Sequence, residues 1–383
     1  MSQRRLGAEA RWVRLARWLI ITGTVIGLLL LPPHLSGYRL RFLTLLFLWI
    51  AMASNWNLIA GYTGYVDFGH AVFFGLGAYF VGILMVRADP AVWVLDRLGQ
   101  TEALTLWLEG ALAGANPEGL LATLGFTGPG EVLRLASFLL ALLAAGLGSG
   151  LFALTVGLPT LRLKGPYFSI AMLGTLIATR EIVRNLKPLT GGGEGLTFPM
   201  KYYPEFVFFY FMALLVMLLS VATVAWISRS QIGYALRAIR EDEGAADMRG
   251  INTTLHKVQA FVLAAALTGL AGGVRGYWDT YIEPDSMFVE QMTVQMVMMT
   301  MLGGIGRLWG PVLGAVTLYY LQEVVWANLL KLHLIALGLL LIAIVLYLPG
   351  GLLGLIAPNG FTARDLIRRW AVEPTEEAEA AHD

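Results

Sequence analysis

Long apolar stretches separated by short polar ones dominate the pattern along the 383-residue chain. A helix needs roughly 20 mostly apolar residues to cross a bilayer. The pattern therefore predicts an all-α integral membrane protein with about ten transmembrane helices. Charge-free runs of about that length occur at 18–38, 42–66, 68–86, 135–161, 206–228 and 332–363, and shorter candidate runs occur at 165–179, 258–274, 287–306 and 308–322.

The composition supports this class and excludes several others. Hydrophobic residues make up 57% of the chain and charged residues 14%, whereas soluble domains are less than half apolar and about one quarter charged. The chain has no cysteine, which excludes disulfides, thiolate metal sites and thiol nucleophiles. Its histidines show no ligand spacing, so we expect no metal site. No basic block is interleaved with aromatic residues, so we expect no nucleic-acid partner.

The charges between the apolar runs predict the topology. Ten helices place both termini and the loop 229–257 on one side, which carries the larger share of the 27 Lys and Arg residues. The positive-inside rule makes that side cytoplasmic. The expected organisation is a basic cytoplasmic N-terminus (1–17), a transmembrane domain (18–357) with an extracytoplasmic loop at 87–133, and an acidic, partly disordered cytoplasmic tail (358–383). A cleaved signal peptide at the N-terminus is the less favoured alternative.

Glycines cluster at residues 61–79 and 301–315, and each cluster ends an apolar run early. Small residues let membrane helices approach closely. Interrupted helices in the two halves of a chain are also typical of transporters, where broken backbone is tolerated if protein or a water-filled cavity lines it. Tight packing and an interrupted pathway therefore both remain open for these glycines.

Polar residues inside the apolar runs are candidates for a substrate pathway, because a central charge costs about 2.5–3.5 kcal/mol on the insertion scale. Asp67 and His70 are three positions apart, which places them on one face of a helix, and a hydrogen bond between them is the favoured interpretation. The candidate pathway residues are Asn55, Asn57, Asp67, His70, Gly75, Ser169, Thr190, Gly191, Gly192 and Gln295.

The stretch LTGGGEGL (189–196), here called the glycine loop, is expected on the extracytoplasmic side. Its glycines expose backbone N–H groups that could bind an anion. The chain has no GxxxxGK[ST] motif, so the loop is not a nucleotide site. It is either a flexible turn or a gate that faces an extracytoplasmic partner.

The charged segment, residues 230–252, interrupts the apolar pattern most sharply. Seven of the thirteen residues from Arg237 to Arg249 are charged. We expect a helix from Gln231 to Glu243, with side-chain pairs Arg237–Glu241 and Arg240–Glu243. Gly244 weakens the helix and Gly250 stops it, while residues 252–254 offer caps for the next one. The segment is either a doubly anchored element that transmits force from a soluble partner or an ordinary solvated loop.

Within this segment, EGAADMRG resembles the coupling motif of permeases of ATP-binding cassette (ABC) importers, with one residue inserted after the glutamate. The stretches 61–79, 161–196, 230–252 and 301–315 resemble branched-chain amino acid permeases of the LivM type. The resemblance implies an ABC importer permease fold with short or broken helices and a cytoplasmic coupling helix. It implies contact with the ATPase through Arg237, Arg240, Glu241, Glu243, Ala245, Ala246 and Gly250.

The resemblance also implies the partners. These are a second, LivH-like permease, two ATPase subunits of the LivG and LivF type, an extracytoplasmic amino-acid-binding protein and the lipid of a bacterial or archaeal inner membrane. Leucine, isoleucine and valine would be imported by alternating access. ATP and Mg²⁺ would bind only to the ATPase subunits, and this chain would bind no cofactor and catalyse no reaction.

One departure from the family keeps alternatives open. Members often have Ser-Leu-Gly-His where this chain has Asp67-Phe68-Gly69-His70, and the added carboxylate bears on the polarity of the substrate. A permease for urea or short amides is the main alternative. A gradient-driven transporter or a channel is less favoured, because neither needs the charged segment.

Overall fold

The computed structural model describes residues 22–88, 129–198, 204–328 and 351–356, with single residues at 19, 338, 339 and 342. The predicted N-terminal segment 1–17, the acidic tail and most of the loop 87–133 lie outside these residues, as does most of the apolar run 332–363. The statements below concern the described part of the chain.

The described part is mostly helical. Helical backbone at 22–30 and a 3-10 turn at Pro32–His34 come first. The helices are then α1 (Gly37–Thr63), α2 (Ala71–Ile83, extended by a π-helical turn at Leu84–Ala88), α3 (Pro129–Thr160), α4 (Pro166–Asn185), α5 (Lys187–Thr190), α6 (Phe206–Arg229), α7 (Gln231–Glu241), α8 (Glu243–Met248), α9 (Thr253–Asp279), α10 (Pro284–Met287), α11 (Glu290–Gly303), α12 (Gly310–Asn328) and α13 (Gly351–Ile356). A second 3-10 turn spans Gly192–Glu194, and two short strands, β1 (Leu196–Thr197) and β2 (Tyr281–Ile282), pair antiparallel.

Four helices of the described part are long and apolar enough to cross a membrane: Gly37–Thr63, Leu135–Thr160, Phe206–Arg229 and Thr253–Asp279. A multi-pass membrane protein is therefore confirmed, whereas the number ten stays a prediction. The predicted run 18–38 is not one helix. The chain leaves the helix at residue 31 and starts α1 at Gly37, because Pro32 and Pro33 lack the N–H groups that a continuing helix would use.

Helix α9 lies against α2 and α3, and α1 packs along α6. Glycines allow the closest of these approaches. A Cβ atom on Gly77 would overlap the backbone carbonyl of Gly269, and one on Gly272 would overlap the carbonyl of Phe74. Backbone-to-backbone contact of this kind is what small residues permit between membrane helices. At these positions the structure supports tight packing.

The contacts fix the direction of the main helices. Phe47 of α1 contacts Tyr210 near the start of α6, and Gly61 near the end of α1 contacts Arg240 of α7, the short helix that follows α6. Helix α9 runs the opposite way, since Lys257 at its start meets Tyr65 beyond the end of α1. One end of the bundle, here called the charged end, therefore holds the start of the 64–70 connection, the charged segment and residues 304–309. From this end the connection runs into the bundle as far as His70, beside Thr268 near the middle of α9.

The glycine loop lies at the opposite end. Thr190 Oγ1 donates to the carbonyl of Val183 at 2.7 Å and accepts from the N–H of Gly192 at 3.1 Å. Beyond the loop, Leu196 pairs with Ile282 across the two strands. Arg87 also donates from Nε to the carbonyl of Leu189 at 3.0 Å. The loop is thus hydrogen-bonded on both sides rather than free, and its role as a gate stays a prediction.

Candidate functional site

The charged segment folds into α7 and α8, which meet at a sharp break. Asp242 is extended, with φ −158°, and its Oδ1 accepts from the N–H of Ala245 at 2.9 Å, which caps α8. The predicted helix to Glu243 therefore ends two residues earlier, at Glu241. A cap of this type satisfies an N–H group that a continuous helix would have bonded internally.

Both ends of the segment are joined tightly to membrane helices. Ser230 caps α7 directly after α6, with its Oγ accepting from the N–H of Gly233 at 3.4 Å. At the other end Gly250 has φ +82°, and the N–H of Ile251 donates to the carbonyl of Ala246 at 3.2 Å. Asn252 Oδ1 then accepts from the N–H of Leu255 at 3.0 Å and starts α9. The predicted stop and cap are therefore present.

The segment is amphipathic across both short helices. Leu236, Ile239 and Ala246 are buried against the bundle. Tyr234 and Met248, in contrast, keep 65% and 87% of their surface exposed. A helix with one apolar face buries that face and leaves the other to solvent or to a partner. The segment is thus an attached element rather than an ordinary solvated loop.

Glu243 is turned toward the bundle and forms the centre of a polar cluster. Its Oε1 accepts from Lys257 Nζ at 2.6 Å, and its Oε2 accepts from the Tyr65 hydroxyl at 2.6 Å. Lys257 Nζ donates in addition to the Tyr65 hydroxyl and to the carbonyl of Leu161, both at 3.0 Å. We call these four residues the Lys257 cluster. A buried charge needs such partners, because an unpaired one is costly.

The same contacts set the protonation state of Glu243. Partial burial by itself raises the pKa of the carboxyl, but the hydrogen bonds from Lys257 and Tyr65 outweigh that effect. The pKa of Glu243 therefore lies below its ordinary value of 4.5. Glu243 is ionised at neutral pH and attracts the lysine as a full charge.

A pH dependence follows from the lowered pKa. A depressed carboxyl pKa contributes stability that is fully present above the ordinary value and lost as pH falls through the folded value. We expect the hydrogen-exchange protection factors of residues 231–250 to stay constant from about pH 7 to pH 5 and to fall below roughly pH 4. A decrease that begins near pH 6.5 would contradict this assignment, and the protection of α6 serves as the internal reference.

The arginines of the segment bond to backbone carbonyls. Arg240 Nη1 donates to the carbonyl of Gly61 at 2.5 Å. Arg237 donates from Nε to the carbonyl of Gly233 at 3.2 Å and from Nη2 to that of Ser228 at 3.1 Å. The predicted side-chain pairs Arg237–Glu241 and Arg240–Glu243 are thus wrong. The break at Asp242 turns Glu243 toward Lys257, and the guanidinium groups reach the carbonyls of Gly61 and Ser228 in the last turns of α1 and α6, where carbonyls lack helical partners.

Two interrupted regions of the bundle lie close to Arg240. The backbone leaves helix at residues 64–70, between α1 and α2, and again at residues 304–309, between α11 and α12. Asn57 fixes the second region to α1, because its Oδ1 accepts from the N–H of Gly306 at 2.8 Å and its Nδ2 donates to the carbonyl of Arg307 at 3.1 Å. A Cβ on Gly306 would overlap Arg240. Both glycine clusters therefore contain an interruption of the helical backbone, and both interruptions lie against Arg240, since a Cβ on Gly64 would fall 3.5 Å from the Arg240 Cγ.

Asp67 and His70 form the predicted hydrogen bond, at 2.9 Å between Oδ2 and Nδ1, and both are fully buried. His70 Nε2 also lies 3.0 Å from the hydroxyl of Thr268, on α9. The expectation that the pair shares a helical face is wrong, because α1 ends at Thr63 and α2 begins only at Ala71. Asp67 Oδ1 instead accepts from the N–H of Gly69 at 2.8 Å and shapes the non-helical connection.

We expect Asp67→Ala to lower the free energy of unfolding by about 2–3 kcal/mol, since it leaves the N–H groups of His70 and Gly69 buried without acceptors. Asp67→Ser should cost less than about 1.5 kcal/mol, because its hydroxyl can still accept one of these bonds. Unfolding of the purified chain in a mixed-micelle titration measures both values. Equal losses in the two variants would show that the carboxylate hydrogen bonds are not what stabilises this connection.

The other candidate pathway residues are spread through the bundle. Asn55 is fully buried and its amide atoms have no hydrogen-bond partner among the described residues. Ser169 donates to the carbonyl of Val66 at 2.6 Å, and Gln295 donates to Gln322 Oε1 at 2.6 Å. Gly75 lies against the ring of Phe288, which a Cβ would overlap. Thr190, Gly191 and Gly192 lie at the opposite end, in the glycine loop.

Sequence reasoning missed Lys257 and Tyr65. A signal for the first was present, because Lys257 is a single charge at the start of the apolar run that becomes α9. No comparable signal marks Tyr65, which lies 178 positions from Glu243 along the chain. Its contact depends on the fold rather than on local spacing.

Comparison with known proteins finds permeases of branched-chain amino acid transport systems. The family described as "branched-chain amino acid transport system / permease component" matches residues 38–345. The high-affinity branched-chain amino acid transport system permease protein LivM of Salmonella typhimurium is 29% identical over 245 residues, which cover 56% of this chain and 57% of that protein. LivM of Escherichia coli is 25% identical over 358 residues, covering 86% of this chain and 73% of that protein.

The permease protein LivH of the same transport system in Salmonella typhimurium is 25% identical over 332 residues, covering 84% of this chain and 98% of that protein. No solved structure matches the chain. Since the matched region extends from the start of α1 beyond α12, it contains the charged segment, both interrupted regions and the glycine loop.

Proposed function

Because the chain belongs to the family of branched-chain amino acid transport permease components, we propose that it is the membrane-spanning subunit of an ATP-driven importer for leucine, isoleucine and valine. One observation carries the proposal beyond family membership. The charged segment is a two-helix element that is anchored to α6 and α9. It contacts residues 64–70 through the hydrogen bond between Glu243 and Tyr65, and it places Arg240 against Gly306 of the second interrupted region. An element of this kind can pass a movement at the membrane surface to broken helices inside the bundle.

In the proposed cycle, two separate ATPase subunits bind and hydrolyse ATP, and this chain only changes shape. Closure of the ATPases displaces the charged segment. The segment then shifts the interrupted regions, two parts of the described bundle where the backbone lacks continuous helical hydrogen bonding. Movement of packed units around a few non-helical residues is a common form of switching between two states. Each cycle exchanges an outward-open for an inward-open pathway.

The proposed partners follow from the same architecture. The similarity of this chain to both LivM and LivH relatives supports a complex of two related permeases. The exposed face of the charged segment, with Tyr234 and Met248, is the proposed contact for an ATPase subunit on the cytoplasmic side. The glycine loop, at the other end of the bundle, is the proposed contact for an extracytoplasmic amino-acid-binding protein.

Transport by the reconstituted complex tests the proposal. The chain would be co-purified with its second permease and ATPases and placed in proteoliposomes, with binding protein outside and ATP enclosed. We expect accumulation of labelled leucine or valine that requires both ATP and the binding protein. Accumulation of urea but not of amino acids would show that the importer carries urea instead. Flux that does not depend on ATP would indicate a channel or a gradient-driven transporter.

A further inference from the structure

The Lys257 cluster has a consequence for how movement reaches the membrane helices. We infer that Lys257 is a positioning residue that makes α8, α9, the 64–70 connection and the end of α3 move as one unit. The inference rests on the proposed function, because it concerns how the charged segment drives transport. Lys257 acts through Glu243 and Tyr65 and touches no cargo or nucleotide.

The geometry of Lys257 is that of a buried junction. Its side chain is only 3% exposed. From the first turns of α9 its ammonium group reaches Glu243 of α8, the Tyr65 hydroxyl of the 64–70 connection and the carbonyl of Leu161, directly after α3. The ammonium also lies 4.5 Å from the centre of the Tyr65 ring. One cation therefore joins the neighbouring elements α8 and α9 to two parts of the chain that are distant in sequence, 192 positions away at Tyr65 and 96 at Leu161.

Burial makes the junction stiff. An ammonium ion has three N–H donors, and Lys257 directs bonds to three acceptors, so a shift of any one partner leaves a donor unsatisfied in a buried place. Such a loss is far more costly inside a protein than at its surface. A force on α8 therefore costs less free energy when α8, α9, the 64–70 connection and the end of α3 move together than when one of them moves alone.

The cluster also defines which face of the segment remains for a partner. Each carboxylate oxygen of Glu243 already accepts one hydrogen bond, from Lys257 or from Tyr65, so the carboxylate is directed toward the bundle and away from a partner. A partner that docks on the opposite, exposed face leaves it intact. Arg240, bonded to Gly61, provides a second attachment from α7. Two attachments prevent the segment from pivoting about a single contact.

The test is Lys257→Met in the full reconstituted complex, with the ratio of leucine imported to ATP hydrolysed as the readout. Methionine keeps most of the apolar stem, and Glu243 retains its bond to Tyr65. The matched control is Arg162→Met, which removes an exposed cation at the same end of the bundle. We expect Lys257→Met to keep ATP hydrolysis and lower leucine imported per ATP about 10-fold, in the range of known coupling effects, while Arg162→Met leaves the ratio unchanged.

A merely structural lysine predicts a different result. Less folded complex would lower uptake and hydrolysis in proportion, so an unchanged ratio in Lys257→Met would overturn the inference. Hydrogen exchange provides a readout that does not need transport. In Lys257→Met the amides of residues 243–250 should exchange faster than in the wild type and in Arg162→Met, and equal exchange would also overturn the inference. If the wild-type complex shows no ATP-dependent leucine uptake, the proposed function fails instead.

Discussion

Replacing Glu243 with alanine should abolish coupled uptake and lower the free energy of unfolding by about 2–3 kcal/mol. The substitution removes the carboxylate that accepts from Lys257 and Tyr65. Lys257 then stays buried with its charge unpaired, which is the costly way to break an ion pair. The expected loss is smaller than for a fully buried pair, because the Glu243 side chain is 21% exposed.

A double variant separates stability from coupling. Replacing a whole buried ion pair with apolar residues is often neutral or stabilising, whereas removing one partner is not. Glu243→Ala combined with Lys257→Met should therefore recover most of the lost unfolding free energy in a mixed-micelle titration. Uptake per ATP should stay low in the double variant, because the junction is still absent.

Two results would contradict this account. If the single variant were as stable as the wild type, Lys257 would not depend on Glu243 for its charge compensation. If the double variant regained both stability and full uptake per ATP, the cluster would hold the segment in place without transmitting movement. Both measurements use the same purified complexes, so differences in expression do not enter the comparison.

The hydrophobic pattern predicted the membrane helices well where nothing interrupts them. The apolar run 206–228 became the helix Phe206–Arg229, because a stretch of that length without charge can satisfy its backbone in a bilayer only as a helix. The pattern failed at the first run, where an apolar stretch continues through Pro32 and Pro33 although the helix does not. Hydropathy does not record a missing backbone N–H group.

At the candidate site, the sequence predicted the features that depend on neighbouring residues but not the contacts between distant parts of the chain. The stop at Gly250 and the cap at Asn252 depend on neighbouring residues, and both are present. The partners of Glu243 and Arg240 are not local, because Tyr65 and Gly61 lie in a different helical hairpin. Spacing along one helix therefore suggested the pair Arg240–Glu243, whereas in the folded chain Arg240 donates to a carbonyl of α1 and Glu243 accepts from Lys257 and Tyr65.

Substitution of a single glycine between two packed helices should also lower the free energy of unfolding strongly. We expect Gly77→Ala to lower the free energy of unfolding by about 3 kcal/mol, the upper end of the usual cost of overpacking. The added methyl group would overlap the carbonyl of Gly269, which belongs to the backbone of α9 and cannot rotate away. Helices α2 and α9 would have to separate along their length.

The matched control is Gly174→Ala, in α4, where an added Cβ meets nothing within 4 Å. Alanine has a higher helix propensity than glycine by roughly 0.8–1.0 kcal/mol, so this variant should be as stable as the wild type or slightly more so. Unfolding of the purified single chain measures both variants without any contribution from partner subunits.

The difference in unfolding free energy between Gly77→Ala and Gly174→Ala indicates which parts of the permease can move during transport. If Gly77→Ala destabilises the chain while Gly174→Ala does not, α2 and α9 are locked backbone to backbone, and the glycines between them cannot be a hinge. The change between the two pathway states must then fall on the non-helical residues 64–70 and 304–309, which the charged segment contacts. If Gly77→Ala is tolerated, helices α2 and α9 have room to slide. The glycines of residues 61–79 would then be better explained as part of a substrate pathway than as packing contacts.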